Sequence, residues 1–314
     1  MNYEYQMAGI RVLLDLPFEI SIQPSSESFI TKPADEKPDM RFVCRPVSEL
    51  PDPPKGGHEE SNRCYAETGM EKQVFFRPSP EGNPYACVTW RAAEPNLLCC
   101  DYLAGQEQRL NFSMRLCDML GLESLLLRFG GFLLHSAFIR WQGRGILFST
   151  DSGVGKSTQA DLWVKYQGAE ILNGDRAGLR KTACSDHGRR EEPAGTNNDD
   201  NHNQEGSVWA AYGLPYAGSS RIYRNESAPV SAVFMLEQAP VNELALLTPA
   251  QALRKIYPQI TIHGWDADYV QRILPLIEDF LTSVPVYLLR CLPDEEATEL
   301  AKTAVLALPE KGNI

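Results

Sequence analysis

The sequence predicts an α/β fold preceded by a β-rich N-terminal region. Residues 1–112 alternate short apolar runs with loops rich in Pro, Gly and Ser, which is typical of strands joined by turns. Residues 113–314 alternate strand-like with helix-like segments, the pattern of a layered α/β domain. We therefore expect a β-rich region over residues 1–112 and an α/β domain over residues 113–314.

The elements of the second region can be predicted in chain order. Apolar residues at helical spacing predict a helix within residues 111–129. Two β-prone runs flanking glycines predict a hairpin whose second strand leads into a Gly-rich loop. The polar tract at residues 182–206 predicts a flexible insertion. The remaining segments predict helices at 157–166, 249–257, 266–281 and 294–306, strands at 169–172, 207–212, 230–236 and 284–291, and a loop at 213–220.

Composition argues against several classes of protein. No apolar run reaches the roughly 18 residues that a membrane-spanning helix needs, and the N-terminal residues lack the pattern of a secretory signal. We therefore expect a cytoplasmic protein with no membrane partner. The net charge of −11 and the lack of a basic stripe argue against nucleic acid as a partner. The eight cysteines include no C-x-x-C pair, which favours reduced thiols.

The strongest motif is the Gly-rich loop at residues 150–157, TDSGVGKS. Gly153 and Gly155 allow successive backbone N–H groups to converge on an anion, and the following helix adds its N-terminal partial charge. Lys156 is placed to reach the β- and γ-phosphates of a nucleotide, and the Ser157 hydroxyl to bind Mg²⁺. Thr150 stands where the first glycine of such loops is usual. The other predicted nucleotide-binding positions are Asp151, Ser152, Val154 and Thr158.

Acidic, histidine and arginine candidates accompany this loop. Asp175 follows the next predicted strand, so its carboxylate should reach the same crevice and serve as a metal ligand or proton acceptor. His135 lies in the first strand of the hairpin, where it either orients an acid or is an ordinary core histidine. A transferring phosphoryl group also needs cationic donors, and the candidates are Arg176, Arg221 and Arg224.

Residues 135–176 resemble the P-loop core of the HPr kinase/phosphorylase and phosphoenolpyruvate carboxykinase superfamily. The resemblance rests on a His-bearing strand, a turn, a strand ending in the Gly-rich loop, and a later strand ending in an acid. It covers about residues 112–310 and implies a mixed-sheet P-loop kinase core. It also implies His135 as the active-site histidine, Asp175 as general base and a homo-oligomer. Thr158 and Gly174 stand where HPr kinases have acidic residues, which leaves the acceptor and the reverse phosphorylase reaction open.

These observations predict an ATP- and Mg²⁺-dependent phosphotransferase. Its acceptor would be a hydroxyl, for example a serine of a small protein or peptide, or that of a small molecule. Two alternatives stay open at this point. One is a regulatory module that binds a nucleotide without catalysis, and the other is an enzyme like phosphoenolpyruvate carboxykinase. The preference between ATP and GTP is not encoded in any pattern described above.

Overall fold

The computed structural model describes residues 1–183, 206–216 and 218–310. Most of the predicted insertion at residues 182–206 therefore lies outside the described residues. Within the described ranges, no helix has both the length and the apolar character to cross a membrane. Seven cysteines fall in these ranges, and all seven are buried free thiols.

The chain divides into two compact units, Met1–Leu125 and Leu126–Ile314. The sequence placed the boundary after residue 112, before the first helix, α1 (Ser113–Leu120). The boundary falls later because α1 is bonded to the strands of the first unit. The Tyr5 phenol donates a hydrogen bond to the Ser113 carbonyl at 2.5 Å, and Cys117 Sγ donates to Met7 Sδ at 3.7 Å.

The helix predicted within residues 111–129 is two helices. Gly121 adopts a left-handed conformation, with φ of 61°, which ends α1. Such a conformation is a common helix terminator because glycine adopts it without a Cβ clash. A second helix, α2 (Leu122–Arg128), follows immediately.

The first unit is built on a nine-stranded mixed sheet, so the predicted β-rich region is confirmed. Its strands are β1 (Asn2–Met7), β2 (Ile10–Asp15), β3 (Ile30–Thr31), β4 (Met40–Val47), β5 (His58–Glu60), β6 (Arg63–Thr68), β7 (Glu71–Phe76), β8 (Ala86–Arg91) and β9 (Leu97–Leu103). Their order is β3-β1-β2-β4-β9-β8-β7-β6-β5. Strand β4 is parallel to β2 and β9, whereas the other neighbours are antiparallel.

The second unit contains an eight-stranded mixed sheet with helices, which confirms the α/β class. The strands are β10 (Gly131–Trp141), β11 (Arg144–Ser149), β12 (Glu170–Asn173), β13 (Arg176–Ala183), β14 (Ser207–Tyr212), β15 (Ser227–Gln238), β16 (Glu243–Leu246) and β17 (Val286–Cys291). The long strands β10 and β15 each change partners along their length. The first part of β10 pairs with β13, and the first part of β15 pairs with β14. Further along, both strands pair with β11, which lies between them. Strands β11, β15 and β17 are parallel.

The predicted hairpin before the Gly-rich loop is confirmed as β10 and β11. They pair antiparallel, from Ser136 opposite Ser149 to Trp141 opposite Arg144. The two turn residues between the strands, Gln142 and Gly143, have φ of 49° and 75°. Positive φ at both positions is the requirement of a type I′ turn, whose twist matches that of the strands.

Both faces of the central strands are buried. Even-numbered residues of β10 such as Phe132 join one apolar cluster with Trp209 and Phe280, while odd-numbered ones such as Trp141 join a second cluster with Trp163. This explains the near-continuous apolar runs of β10 and β15. The helices that cover the sheet are α3 (Lys156–Gln167), α4 (Pro249–Ile256), α5 (Ala267–Ser283) and α6 (Glu295–Leu306).

Candidate functional site

The Gly-rich loop joins the end of β11 at Ser149 to the start of α3 at Lys156. Gly153 has φ of 82° and Gly155 has φ of 133°, and a Cβ on either would meet no atom within 4 Å. The backbone conformation therefore requires these glycines, since close packing does not. Loop amides next to a helix N-terminus are suited to holding an anionic group.

Lys156 is buried beneath the loop. Its ammonium donates hydrogen bonds to the carbonyls of Thr150 at 2.9 Å and Asp151 at 3.2 Å. Burial lowers the pKa of Lys156, and the nearby carboxylates of Asp175 and Asp151 partly oppose this effect. The lysine therefore supports the loop and places a positive charge near Asp175.

Two side-chain bonds tie the loop to the end of β15. Thr150 Oγ1 donates to the Leu236 carbonyl at 3.0 Å, and Gln238 Nε2 donates to the Val154 carbonyl at 3.2 Å. A glycine at position 150 could not make the first of these bonds. Thr150 thus performs an anchoring role at the one position where the loop departs from the usual pattern.

Asp175 and His135 lie beside each other at the end of β12. The backbone N–H of Ser136 donates to the Asp175 carbonyl at 3.0 Å, which fixes the turn against β10. His135 Nε2 is 3.8 Å from Asp175 Oδ1, too far for a direct hydrogen bond. Ser149 Oγ donates to the His135 carbonyl at 2.7 Å and so links this pair to the base of the Gly-rich loop.

Gln259 connects the loop to the histidine, and the sequence interpretation missed it. Its Nε2 donates to Asp151 Oδ1 at 2.7 Å, and its Oε1 lies 3.2 Å from His135 Nδ1. The residue is buried at the end of a 3₁₀ turn, Tyr257–Gln259, which follows α4. No local pattern could have singled it out, because a glutamine just after a predicted helix is ordinary and its partners are distant in sequence.

The protonation of His135 follows from these contacts. Burial, and next the charge of Lys156, lower the pKa of His135, while the bond to Gln259 and the Asp175 carboxylate raise it less. The imidazole is therefore neutral at pH 7. Because the Gln259 amide nitrogen donates to Asp151, its oxygen accepts from His135 Nδ1–H. The unprotonated Nε2 then faces Asp175, and a hydroxyl or water proton could be shared between them.

The turn that carries Asp175 joins β12 to β13, and the Asn173 side chain holds it in place through hydrogen bonds. Asn173 is fully buried, its Nδ2 donates to the Leu214 and Tyr216 carbonyls at 2.8 Å each, and its Oδ1 accepts the N–H groups of Asp175 and Arg176 at 2.9 Å each.

In the loop that the sequence predicted at residues 213–220, the described residues Gly218 and Ser220 close over the same turn. A Cβ on Gly218 would lie 2.8 Å from Asp175 Oδ1, and a Cβ on Gly174 would clash with Ser220 Oγ. These glycines allow the close approach.

The three candidate arginines are separated. Arg176 Nε lies 3.6 Å from Asp175 Oδ2, so it adjoins the turn. Arg221 follows Ser220 in the closing loop, with φ of 53°. The structure does not bring Arg224 to the Gly-rich loop, because its guanidinium lies 3.8 Å from Glu170 at the opposite end of β12. It belongs to an ion-pair cluster with Arg140, Glu170 and Glu226.

Two cavities adjoin the loop. One of about 280 Å³ is lined by Ser157, Gly174 and Ser220 among others, so Ser157 and the residue before Asp175 border the same cavity. The other, of about 590 Å³, is lined by Val154, Thr158 and the ends of β15 and β17. Ser152 is exposed in the loop. The part of the chain that the structure describes holds no cluster of three or more His, Cys, Asp or Glu suited to a metal.

Comparison with known proteins adds no assignment. No protein-family model matches the chain, and no curated protein matches it. The inferences on function therefore depend on the geometry of the residues described above.

Proposed function

We propose that the chain is an ATP- and Mg²⁺-dependent phosphotransferase that phosphorylates a hydroxyl group. The observation that carries the proposal is the Gly-rich loop between a buried strand and a helix, with buried Lys156 beneath it and the Asp175–His135 pair beside it. A site that only binds a nucleotide needs no proton acceptor, whereas transfer to a hydroxyl does. The hairpin before the loop further supports a kinase core like that of the HPr kinase and phosphoenolpyruvate carboxykinase superfamily.

The residues present fit the nucleotide and its metal. The open glycine cradle and Lys156 would hold the phosphates. Ser157 and Asp175 supply the hydroxyl and carboxylate oxygens that Mg²⁺ prefers in nucleotide sites. When bound, the nucleotide supplies the phosphoryl group and Mg²⁺ offsets its charge. No dedicated metal cluster is needed, because Mg²⁺ in such sites keeps several waters and phosphate ligands.

The proposed roles of the chain's own residues follow from their contacts. Asp175 accepts the proton of the attacking hydroxyl. His135, whose Nδ1 is held by Gln259, keeps its Nε2 facing Asp175 and assists that carboxylate. Lys156 and Arg176 place positive charge where negative charge develops. The acceptor hydroxyl would be a serine of a small protein or peptide, as the resemblance implies, or that of a small molecule.

Nucleotide binding is tested by calorimetry with ATP in the presence and absence of Mg²⁺. Lys156→Ala should weaken Mg²⁺-dependent binding at least tenfold, since a buried charge-assisted contact contributes about 1.5–3 kcal/mol. Lys165→Ala is the matched control, because Lys165 lies on the same helix but is exposed. Wild-type protein without Mg²⁺-dependent affinity for any nucleoside triphosphate would contradict the proposal.

Catalysis is tested separately with labelled ATP and candidate hydroxyl acceptors. Asp175→Asn should reduce transfer at least about a hundredfold, the scale of general-base catalysis, while nucleotide still binds. Equal transfer by wild type and Asp175→Asn would show that Asp175 is not the proton acceptor. Tight binding without transfer to any acceptor would instead favour the regulatory module.

A further inference from the structure

The first unit contains a cavity of about 620 Å³ that the proposed function does not use. It lies at the turn between β5 and β6, beside β7 and the segment that leads into α1. Its volume falls in the range of small-molecule sites, roughly 300–1,000 Å³. Its walls combine the arginines and aromatic residues Arg63, Arg77, Arg109, Arg115, Tyr65, Phe76, Tyr85 and Phe112.

Carboxylates only partly neutralise these four arginines. Arg77 is paired with Glu59 through two bonds of 2.8 and 3.1 Å. A single carboxylate, Asp118, is shared by Arg63 and Arg115. Across the described residues, the Arg109 side chain makes no ion pair with any carboxylate, and its only hydrogen bond runs from Nε to Gln106 Oε1 at 2.7 Å.

The charge balance is unusual for this chain. Four of the residues that line the cavity are arginines and only one lining residue, Glu60, is acidic, although the chain as a whole carries a net charge of −11. The terminal nitrogens of Arg109 keep their N–H groups available to a ligand. A guanidinium presents paired N–H donors that match the two oxygens of a carboxylate or phosphate.

Flat apolar surfaces accompany the charge. The Arg63 guanidinium lies 5.4 Å from the centre of the Phe76 ring, and the Arg109 guanidinium lies 5.4 Å from the centre of the Tyr85 ring. The charges of Arg115 and Arg109 both act to lower the pKa of Tyr85, which places this phenol near both arginines. Phe112 lines the cavity and is 45% exposed. Such surfaces pack well against a planar group.

We propose that this cavity binds a small anionic ligand that carries a carboxylate or phosphate next to a planar ring. The anionic oxygens contact Arg109 and Arg115, and the ring packs against the aromatic wall. The site lies within one unit and does not depend on the proposed phosphotransfer.

The test uses the full chain and three probes of similar shape, namely phenyl phosphate, phenylacetate and benzyl alcohol. Their binding is measured by calorimetry and ligand-observed NMR. At least one of the two anions should bind saturably, and at least tenfold more tightly than the neutral alcohol. Arg109→Gln should weaken that binding at least tenfold, because it removes a charge-assisted contact. Arg41→Gln is the matched control, since Arg41 is also exposed and lies on β4 of the same sheet, away from the cavity lining.

Lys156→Ala distinguishes binding in this cavity from binding at the Gly-rich loop. It should leave the affinity for the anionic probe unchanged. Tighter binding of phenyl phosphate assigns a phosphate ester as the ligand class, and tighter binding of phenylacetate assigns a carboxylate. The proposal is overturned if neither anion binds saturably, if benzyl alcohol binds equally well, or if Arg109→Gln has no effect. Loss of the binding in Lys156→Ala also overturns it, whatever happens to nucleotide affinity.

Discussion

Gln259 offers a test of the site that does not depend on activity. Its bond to His135 Nδ1 raises the pKa of His135 against burial and the charge of Lys156. Gln259→Leu should therefore lower the pKa of His135 further, and Gln259→Glu should raise it, because a carboxylate stabilises the imidazolium. The measurement is an NMR titration of the imidazole resonances, with His135 assigned by substitution.

The control for this titration is Gln238→Leu. Gln238 donates a hydrogen bond to the Val154 carbonyl of the same Gly-rich loop and, among the residues described, makes no hydrogen bond to the histidine, so the pKa of His135 should stay unchanged. A His135 titration unmoved by both Gln259 substitutions would show that this hydrogen bond is not formed in solution.

The lowered pKa of His135 also predicts how stability depends on pH. The unfolded histidine titrates near its ordinary pKa of 6.5, so below that pH the unfolded state binds a proton that the folded state resists. The free energy of unfolding should therefore fall as pH decreases through 6.5. His135→Gln removes this contribution, so its stability should fall less steeply from pH 7.5 to 5.5 in urea unfolding. Parallel curves would contradict the neutral, buried imidazole.

At the scale of elements, the loop that closes over Asp175 can be tested through Gly218. Gly218→Ala places a Cβ at φ of 51° and within 2.8 Å of Asp175 Oδ1, so the carboxylate or the loop must move. Gly168→Ala is a matched control, because Gly168 has φ of 67° with no atom within 4 Å of the added Cβ. Each substitution should cost about 1–2 kcal/mol of left-handed strain.

Only Gly218→Ala should also impair phosphotransfer, by at least about tenfold in kcat, since small displacements of a reacting group are costly. Stability is measured by urea unfolding and transfer with labelled ATP. If both alanine variants transferred phosphate equally well, the contact between Gly218 and Asp175 would have no part in catalysis.

The sequence predicted the elements that depend on local patterns. The β10–β11 hairpin and the loop glycines follow from turn chemistry and backbone conformation, which neighbouring residues encode. Gln259 and Asn173 were missed because their roles arise from partners far along the chain or in another loop. Arg224 was predicted to lie at the site because it comes shortly after the closing loop in the sequence. Its guanidinium instead lies 3.8 Å from the carboxylates of Glu170 and Glu226.

For the whole molecule, each unit has apolar residues of its own to bury. The two large apolar clusters of the second unit draw on residues between Leu127 and Val305, with further contacts up to Leu308. In the first unit, Cys64, Ala66, Phe75 and Cys87 form a separate cluster. The sequence suggested two regions but misplaced their boundary relative to α1, because a helix pattern does not reveal which sheet the helix is bonded to.

A fragment covering residues 122–310 should therefore fold and bind Mg²⁺–ATP without the first unit. Cutting at Gly121, where α1 ends, keeps Leu127 of α2 in the larger cluster and removes no residue of the Gly-rich loop or the Asp175 turn. Cooperative unfolding by circular dichroism and an affinity within about threefold of the full chain are expected. Lys156→Ala in the fragment should weaken this binding at least tenfold, as in the full chain. A folded fragment without nucleotide affinity would mean that the first unit contributes to the site.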